Sequence, residues 1–385
     1  MFADRTNWNL APNRLSEALA RHRAAGKALL DLSASNPAAV GIGCESEAIL
    51  RALANPAALG YEPDAQGMES ARRAVADYYR ERGVEVAAGD ICLTASTSEA
   101  YSFIFRALCN PGDEILVPAP SYPLFDFLAE IQDVRVVRYP LVHEHGWQID
   151  FHTLEQALTP RTRAVLVVHP NNPTGHFCKA LEMARLDELC AARKIALIAD
   201  EVFLDFALAG GPAAIFVANT RALTFTLSGL SKICGLPQMK AAWLVASGPE
   251  EWKKAALERI EVIADTYLSV NTPVQLALPA FLELRRGFQR QLLARVRTNL
   301  AELDRQLAAQ KSCARLEVEG GWYAVLRVPA TRTDEELAIE LLETHGVYAH
   351  PGHFYDFPRE GYLVVSLIAR EEEFAEGNKR LLRMF

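Results

Sequence analysis

From about residue 90 the chain alternates short apolar runs with amphipathic stretches. Ile91-Cys92-Leu93-Thr94 runs into Ala95-Ser96-Thr97-Ser98 and then a helical pattern to about 109. Glu114-Ile115-Leu116-Val117 runs into Pro118-Ala119-Pro120-Ser121-Tyr122-Pro123 and a second helical stretch. Further apolar runs cover 134–139, 164–169, 195–199, 223–227 and 241–246, with a helix predicted over 180–193. Fully apolar runs of this length, each followed by a helix-period segment, read as strands of a mainly parallel sheet covered on both faces. In such a domain polar residues just beyond the strand carboxyl ends are gathered around one crevice.

The pattern differs on either side of that region. Before it, Asn13-Arg14-Leu15-Ser16-Glu17-Ala18-Leu19 opens a capped helix, 31–37 is turn-rich, and the spacing of Ala71, Val75, Tyr78 and Tyr79 predicts a helix over 68–82. After about 285, Leu293, Val296, Leu300, Leu303 and Leu307 mark a long amphipathic helix. Strand runs at 315–318, 323–328 and 362–367 then interleave with helices. The expected organisation is an N-terminal arm over 1–45 that joins the small domain, a large α/β domain over 46–285, and a small α+β domain over 286–385.

Composition narrows the class. Of 385 residues 50% are hydrophobic and 23% charged, as in ordinary globular chains. A net charge of −8 offers no electrostatic footprint for nucleic acid or an anionic membrane, so neither is expected as a partner. No apolar run is long enough to span a bilayer, and Met1-Phe2-Ala3-Asp4-Arg5-Thr6 has no apolar leader pattern. Seven cysteines are scattered without a C-x-x-C pair or a His/Cys cluster at zinc spacing. These features predict a cytoplasmic protein with reduced thiols and no metal site.

The chemistry falls at strand ends. Leu223-Thr224-Phe225-Thr226-Leu227 empties into Ser228-Gly229-Leu230-Ser231-Lys232. A lysine held beside a buried strand is costly to keep charged, and a neutral amine is the group that forms a Schiff base with an aldehyde cofactor. Asp200 directly follows Ile195-Ala196-Leu197-Ile198-Ala199, and an aspartate there needs a cationic partner or a structural cap to fill. Asn172, in His169-Pro170-Asn171-Asn172-Pro173-Thr174-Gly175, is either a donor to a ligand oxygen or a turn former. Ser96, Thr97 and Ser98 make a hydroxyl-rich strand-to-helix turn that suits a phosphate, and equally suits helix capping. Tyr122 follows a strand in a proline-rich loop, where it could stack on a ring.

In this order and spacing the motifs resemble the class I/II aminotransferases, enzymes of pyridoxal phosphate, from about residue 30 to the C-terminus. The resemblance implies the PLP-dependent transferase-like fold and a transaminase that moves an amino group from an amine or amino-acid donor to a carbonyl acceptor. It implies Lys232 as the cofactor-bearing lysine and base, Asp200 as partner of the ring nitrogen, and Asn172 as donor to the phenolic oxygen. Tyr122 takes the place of the stacking aromatic, and Ser96, Thr97, Ser98, Ser231 and Lys240 that of the phosphate site. Tyr61 sits where the family reaches the partner subunit's phosphate, implying a homodimer with shared active sites. Another reaction of the same cofactor (lyase, decarboxylase or synthase) and a non-catalytic cofactor-binding protein are the alternatives.

Four positions depart from the family pattern. Phe203 stands where a tyrosine is usual, Lys240 where an arginine is usual, and Gly229 where a serine is common. In Gly361-Tyr362-Leu363-Val364-Val365-Ser366, Val364 stands where the resemblance implies the arginine that clamps the substrate carboxylate. Either the donor carries no α-carboxylate or another cation replaces that arginine. Arg359 is the nearest candidate, with a surface pair to Glu360 or Asp356 as its alternative. Trp8 and Trp322 are expected towards the substrate pocket.

Overall fold

The computed structural model describes residues 1–208 and 214–385. A short strand β1 (Leu30–Asp31) precedes the large sheet, which is built from β2 (Ile91–Thr94), β3 (Glu114–Ala119), β4 (Arg135–His143), β5 (Trp147–Ile149), β6 (Thr162–Val168), β7 (Ala196–Asp200), β8 (Thr224–Gly229) and β9 (Ala242–Ser247). Their spatial order is β2-β9-β8-β7-β6-β3-β4-β5. The pairs β3–β4, β3–β6, β6–β7 and β7–β8 are parallel, while β9 is antiparallel to both β8 and β2, and β5 to β4. The parallel centre is buried along its whole length, as in β7 and β8, which accounts for the unbroken apolar runs.

A second, antiparallel sheet runs β10 (Ala314–Arg315), β11 (Tyr323–Arg327), β14 (Tyr362–Ser366), β13 (His350–Pro351). Strand β12 (Val347–Tyr348) pairs in parallel with β1, so the N-terminal arm is tied to the C-terminal region by main-chain hydrogen bonds. The fold is thus α/β with a smaller α+β part. The strand runs lie within two residues of their expected bounds, except that β10 is shorter than the 315–318 run and β4 extends to His143.

The long helix was expected only after 285, yet it spans Thr272–Leu307 without interruption. Pro273 falls in the first turn, where a missing N–H costs nothing, and the Asn271 side chain caps the Val274 amide. Pro279 lies inside the helix, and it is these prolines that break the sequence pattern. The helix crosses the expected 285/286 boundary as one element. A second helix, Glu250–Tyr267, was not anticipated.

The register of β8 against β9 explains one departure. Gly229 lies opposite Ala242, and a Cβ on residue 229 would come within 2.6 Å of the Ala242 Cβ and 2.8 Å of its Cα. Backbone cannot yield as a side chain can, so this β8–β9 contact admits only hydrogen at 229. Gly229→Ser is therefore expected to destabilise the protein by about 1–3 kcal/mol through overpacking. The check is the denaturant midpoint, and an unchanged midpoint would show that β9 has room to move.

Candidate functional site

The topology decides which side chains meet. Strands β8, β7, β6 and β3 are consecutive parallel neighbours, so their carboxyl ends open on one edge of the sheet. Strand β2 runs the same way, because it and β8 are both antiparallel to β9. Along this edge lie Lys232 after β8, Asp200 ending β7, Asn172 after β6, Tyr122 after β3 and the Ser96–Ser98 turn after β2. All of them line one cavity of about 380 Å³, together with Ser231, Phe203, Tyr323, His350, Phe354 and Tyr355.

Lys232 sits in a single helical turn, Leu230–Ile233, directly after β8. Its ammonium position is 5.3 Å from the centre of the Trp322 ring and 5.7 Å from that of Phe203. These two rings meet edge to face at 4.8 Å and are themselves buried. Burial pulls the Lys232 amine below the ordinary lysine range, and the charge of Asp200 opposes that shift. The aromatic wall is why the strand-end lysine is desolvated.

Asp200 is buried, and burial raises its carboxyl above the usual range. Three groups oppose this: the Tyr101 phenol donating to Oδ2 at 2.7 Å, the Val202 amide donating to Oδ1 at 3.1 Å, and the charge of Lys232. Tyr101 was missed by sequence reasoning. It lies in the helix Thr97–Leu108 and carries no motif, so only the packing of that helix on the sheet reveals it.

Asn172 has its side-chain Oδ1 buried without a partner. Its neighbour Asn171 does the structural work, accepting from Ser121 Oγ at 2.9 Å and donating to the Pro120 carbonyl at 3.0 Å and Thr174 Oγ1 at 2.9 Å. This network fixes the loops after β3 and β6 against each other. The Ser121 amide also donates to the Tyr355 carbonyl at 2.9 Å, tying the site to the smaller sheet's connection. In the Ser96–Ser98 turn, Ser96 Oγ caps the helix by accepting from the Glu99 amide at 3.1 Å, and Glu99 in turn accepts from the Ala95 amide. Thr97 and Ser98 line the cavity beside the positive end of a 12-residue helix.

Other expected residues lie elsewhere. Lys240 caps the turn Pro237–Met239 in a left-handed conformation, close to the same sheet edge, but it is exposed and outside the cavity wall. Tyr61 is 75% exposed and also outside it. Trp8 does not face the pocket: its indole N–H donates to Glu130 Oε2 and its ring packs edge-on against Phe127 at 5.5 Å, on the outer side of the helix Phe125–Glu130. Trp322 is fully buried beneath Lys232 rather than in the wall. Val364 is buried in β14. Arg359 is exposed, and the partners considered for it are otherwise engaged, since Asp356 pairs with Arg138 and Glu360 accepts from the Asp334 amide. Among the described residues, Lys232 and His350 are the only basic ones in the cavity wall.

Away from the cavity, His176, Cys178 and Glu182 come together, against the expectation of no such cluster. Hydrogen bonding accounts for it, because Glu182 accepts from the Ile149 and Lys179 amides and lies 3.0 Å from His176 Nε2.

The model of the family described as aminotransferase class I and II matches residues 25–374. The chain belongs to the class I and II aminotransferase family. It is 32% identical over 261 residues to the glutamate-pyruvate aminotransferase AlaA of Escherichia coli, a match spanning 67% of this chain and 64% of that relative. It is 30% identical over 384 residues to the alanine aminotransferase of Mycobacterium bovis, spanning 94% of this chain and 86% of that one. An alanine aminotransferase structure from Pyrococcus furiosus superposes with a TM-score of 0.92 at 23% identity, covering 100% and 99% of the two chains. A Thermus thermophilus aspartate aminotransferase mutant gives 0.87 at 24%, covering 100% of both. At these identities the structural likeness establishes the fold.

Pyridoxal phosphate is the cofactor of class I and II aminotransferases, and the residues present fit it. Among the described residues the cavity offers a buried carboxylate that makes no ion pair, the Asn172 amide with its Nδ2 donor, a lysine whose proton affinity burial lowers, and hydroxyls at a helix N-terminus. Each has a counterpart in a pyridinium, a phenolic oxygen, an aldehyde and a phosphate.

Tyr101→Phe removes a donor that favours the ionised Asp200 carboxylate, so its proton affinity should rise further. A protonated Asp200 cannot partner a ring cation, and this loss begins at higher pH as the carboxyl is raised. The variant is expected to release cofactor at a higher pH on acidification than the parent. Cofactor absorbance retained after gel filtration across a pH series measures it, and superimposable curves would remove Tyr101 from the account.

Proposed function

We propose that this chain is a pyridoxal-phosphate-dependent aminotransferase, moving an amino group from an amine or amino-acid donor to an oxo acid or other carbonyl acceptor. The observation that carries the reading is the desolvated Lys232 amine, set in one cavity with Asp200 and Asn172. The aminotransferase names of the relatives support it.

When bound, the cofactor supplies an electron sink for the bonds around the amino-bearing carbon. Asp200 would pair with the positive charge on the ring nitrogen, and Tyr101 favours the ionised form of that carboxylate. Asn172 would donate to the phenolic oxygen, and Tyr122 would stack on the ring. Thr97, Ser98 and Ser231 would hold the phosphate with the help of the helix N-terminus. Lys232, whose affinity for a proton burial lowers, would hold the cofactor through its Nζ. It then takes and returns the proton at the reacting carbon atoms. Phe203 lends no hydroxyl, so Asn172 is the side-chain donor to the phenolic oxygen.

A homodimer with shared sites fits the exposed Tyr61, free to reach a partner subunit's phosphate. Seven free cysteines support a cytoplasmic setting, and among the described residues no helix is long and apolar enough to cross a membrane.

Lys232→Ala is expected to lower turnover by about 10²–10⁴-fold or more, since nucleophile and proton carrier go together. Spectra with amino donor alone identify the reaction: a transaminase stops after one equivalent per site, whereas continuous product release would make the chain a lyase. A Lys232→Ala protein with parental turnover would contradict the reading.

Lys240 is exposed and stands outside the cavity wall, so any contact with the phosphate would be solvent-screened. Lys240→Ala is accordingly expected to weaken cofactor affinity by no more than about 1 kcal/mol, an effect that salt erases. A loss several times larger, persisting at high salt, would place the Lys240 ammonium inside the closed site.

A further inference from the structure

The ladder of the smaller sheet locates the position where the family arginine is missing. In β11–β14–β13, Val364 lies opposite Val325 on one side and His350 on the other, and Tyr323 lies opposite Ser366. Directly opposed residues of antiparallel strands, and residues two apart on one strand, project from the same face. Tyr323, Val325, Val364, Ser366 and His350 therefore share a face, and its members Tyr323 and His350 line the cavity. A side chain reaching the substrate from residue 364 would emerge beside His350.

His350 takes that place. Its Nδ1 lies 3.0 Å from the Tyr355 hydroxyl, and Tyr355 is a second wall residue. Either tautomer of the imidazole leaves the pair one free donor. If the phenol donates to Nδ1, the Nε2–H is unused; if Nδ1–H donates to the phenol oxygen, the O–H is unused. Aromatic neighbours Tyr348 and Phe354 pack around the ring at 5.7 and 5.8 Å, and burial lowers the imidazole's affinity for a proton despite the charge of Asp31. Among the described residues of this chain no arginine lines the wall.

We infer that His350 and Tyr355 form the substrate-recognition pair of this site and select a donor bearing a neutral hydrogen-bond acceptor, such as an amide carbonyl or a hydroxyl, where an ordinary amino acid bears its α-carboxylate. This rests on the cofactor reading above. A single neutral donor satisfies a carbonyl or hydroxyl oxygen, whereas a carboxylate brought beside His350 and Tyr355 would keep its charge without a counterion. The pair thus replaces a fork for an anion by one hydrogen bond to a neutral group.

The test uses the cofactor-loaded protein with alanine, alaninamide, and their 2-methyl derivatives, which have no α-hydrogen and so report binding without turnover. Dissociation constants come from the shift in the cofactor's visible band. The amide of each pair is expected to bind at least about tenfold tighter than the acid, because the carboxylate would sit desolvated without a counterion. His350→Ala should weaken amide binding by about tenfold, the size of one net hydrogen bond, Tyr355→Phe should weaken it less while leaving the imidazole in place, and Val364→Arg should invert the preference for amide over acid. Acid binding as tight as amide, in the parent protein, overturns the proposal, as does binding of neither. A protein that takes up no cofactor at Lys232 instead overturns the reading on which it rests, and the absorbance before any ligand is added separates the two failures.

Discussion

Asp200 is a carboxylate buried at the carboxyl end of a central parallel strand, with hydrogen-bond donors around it and, among the described residues, no ion pair of its own. Such a group is unfavourable in a closed fold, because burial drives it towards its neutral form. Much of the site's construction limits that cost. The helix Thr97–Leu108 brings Tyr101 to one oxygen, and the backbone of Val202 serves the other. Lys232, one strand over, contributes charge when protonated. Among the described residues no cation is paired directly with the Asp200 carboxylate, and a protonated ring nitrogen would supply one.

Lys232 stands under the opposite demand. The amine must shed its proton readily, and the chain achieves this by geometry, setting the nitrogen within 6 Å of two ring centres that admit little water. Trp322 comes from the start of the smaller sheet and Phe203 from the loop after β7. The lysine's environment is thus assembled from both parts of the fold. Gly229 lets β9 close against β8 at the same place, so the turn that carries Lys232 is held by backbone contact.

The parts legible from sequence are those that depend on local order. Lys232, Asp200, Asn172, Tyr122 and the 96–98 turn each follow an apolar strand run, and the parallel sheet then gathers strand ends without further information. What stayed hidden depends on packing between distant segments. Tyr101 is an unmarked helix residue that meets Asp200 across 99 positions. The His350–Val364 neighbourhood exists only through ladder register. Trp8 was misplaced because family position predicts the direction of an arm poorly, and here Glu130 and Phe127 hold it outside. The early start of the long helix was masked by Pro273 and Pro279, residues that usually end one.

The central claim is that one desolvated lysine, opposite a carboxylate needing a cation, makes this cavity a pyridoxal phosphate site. Borohydride reduction of the purified protein, followed by peptide mapping by mass, tests it most directly. The account predicts one cofactor mass per chain, on the peptide containing Lys232 and on no other lysine. Modification of a different lysine, or an unmodified Lys232 peptide from a protein saturated with cofactor, would contradict it.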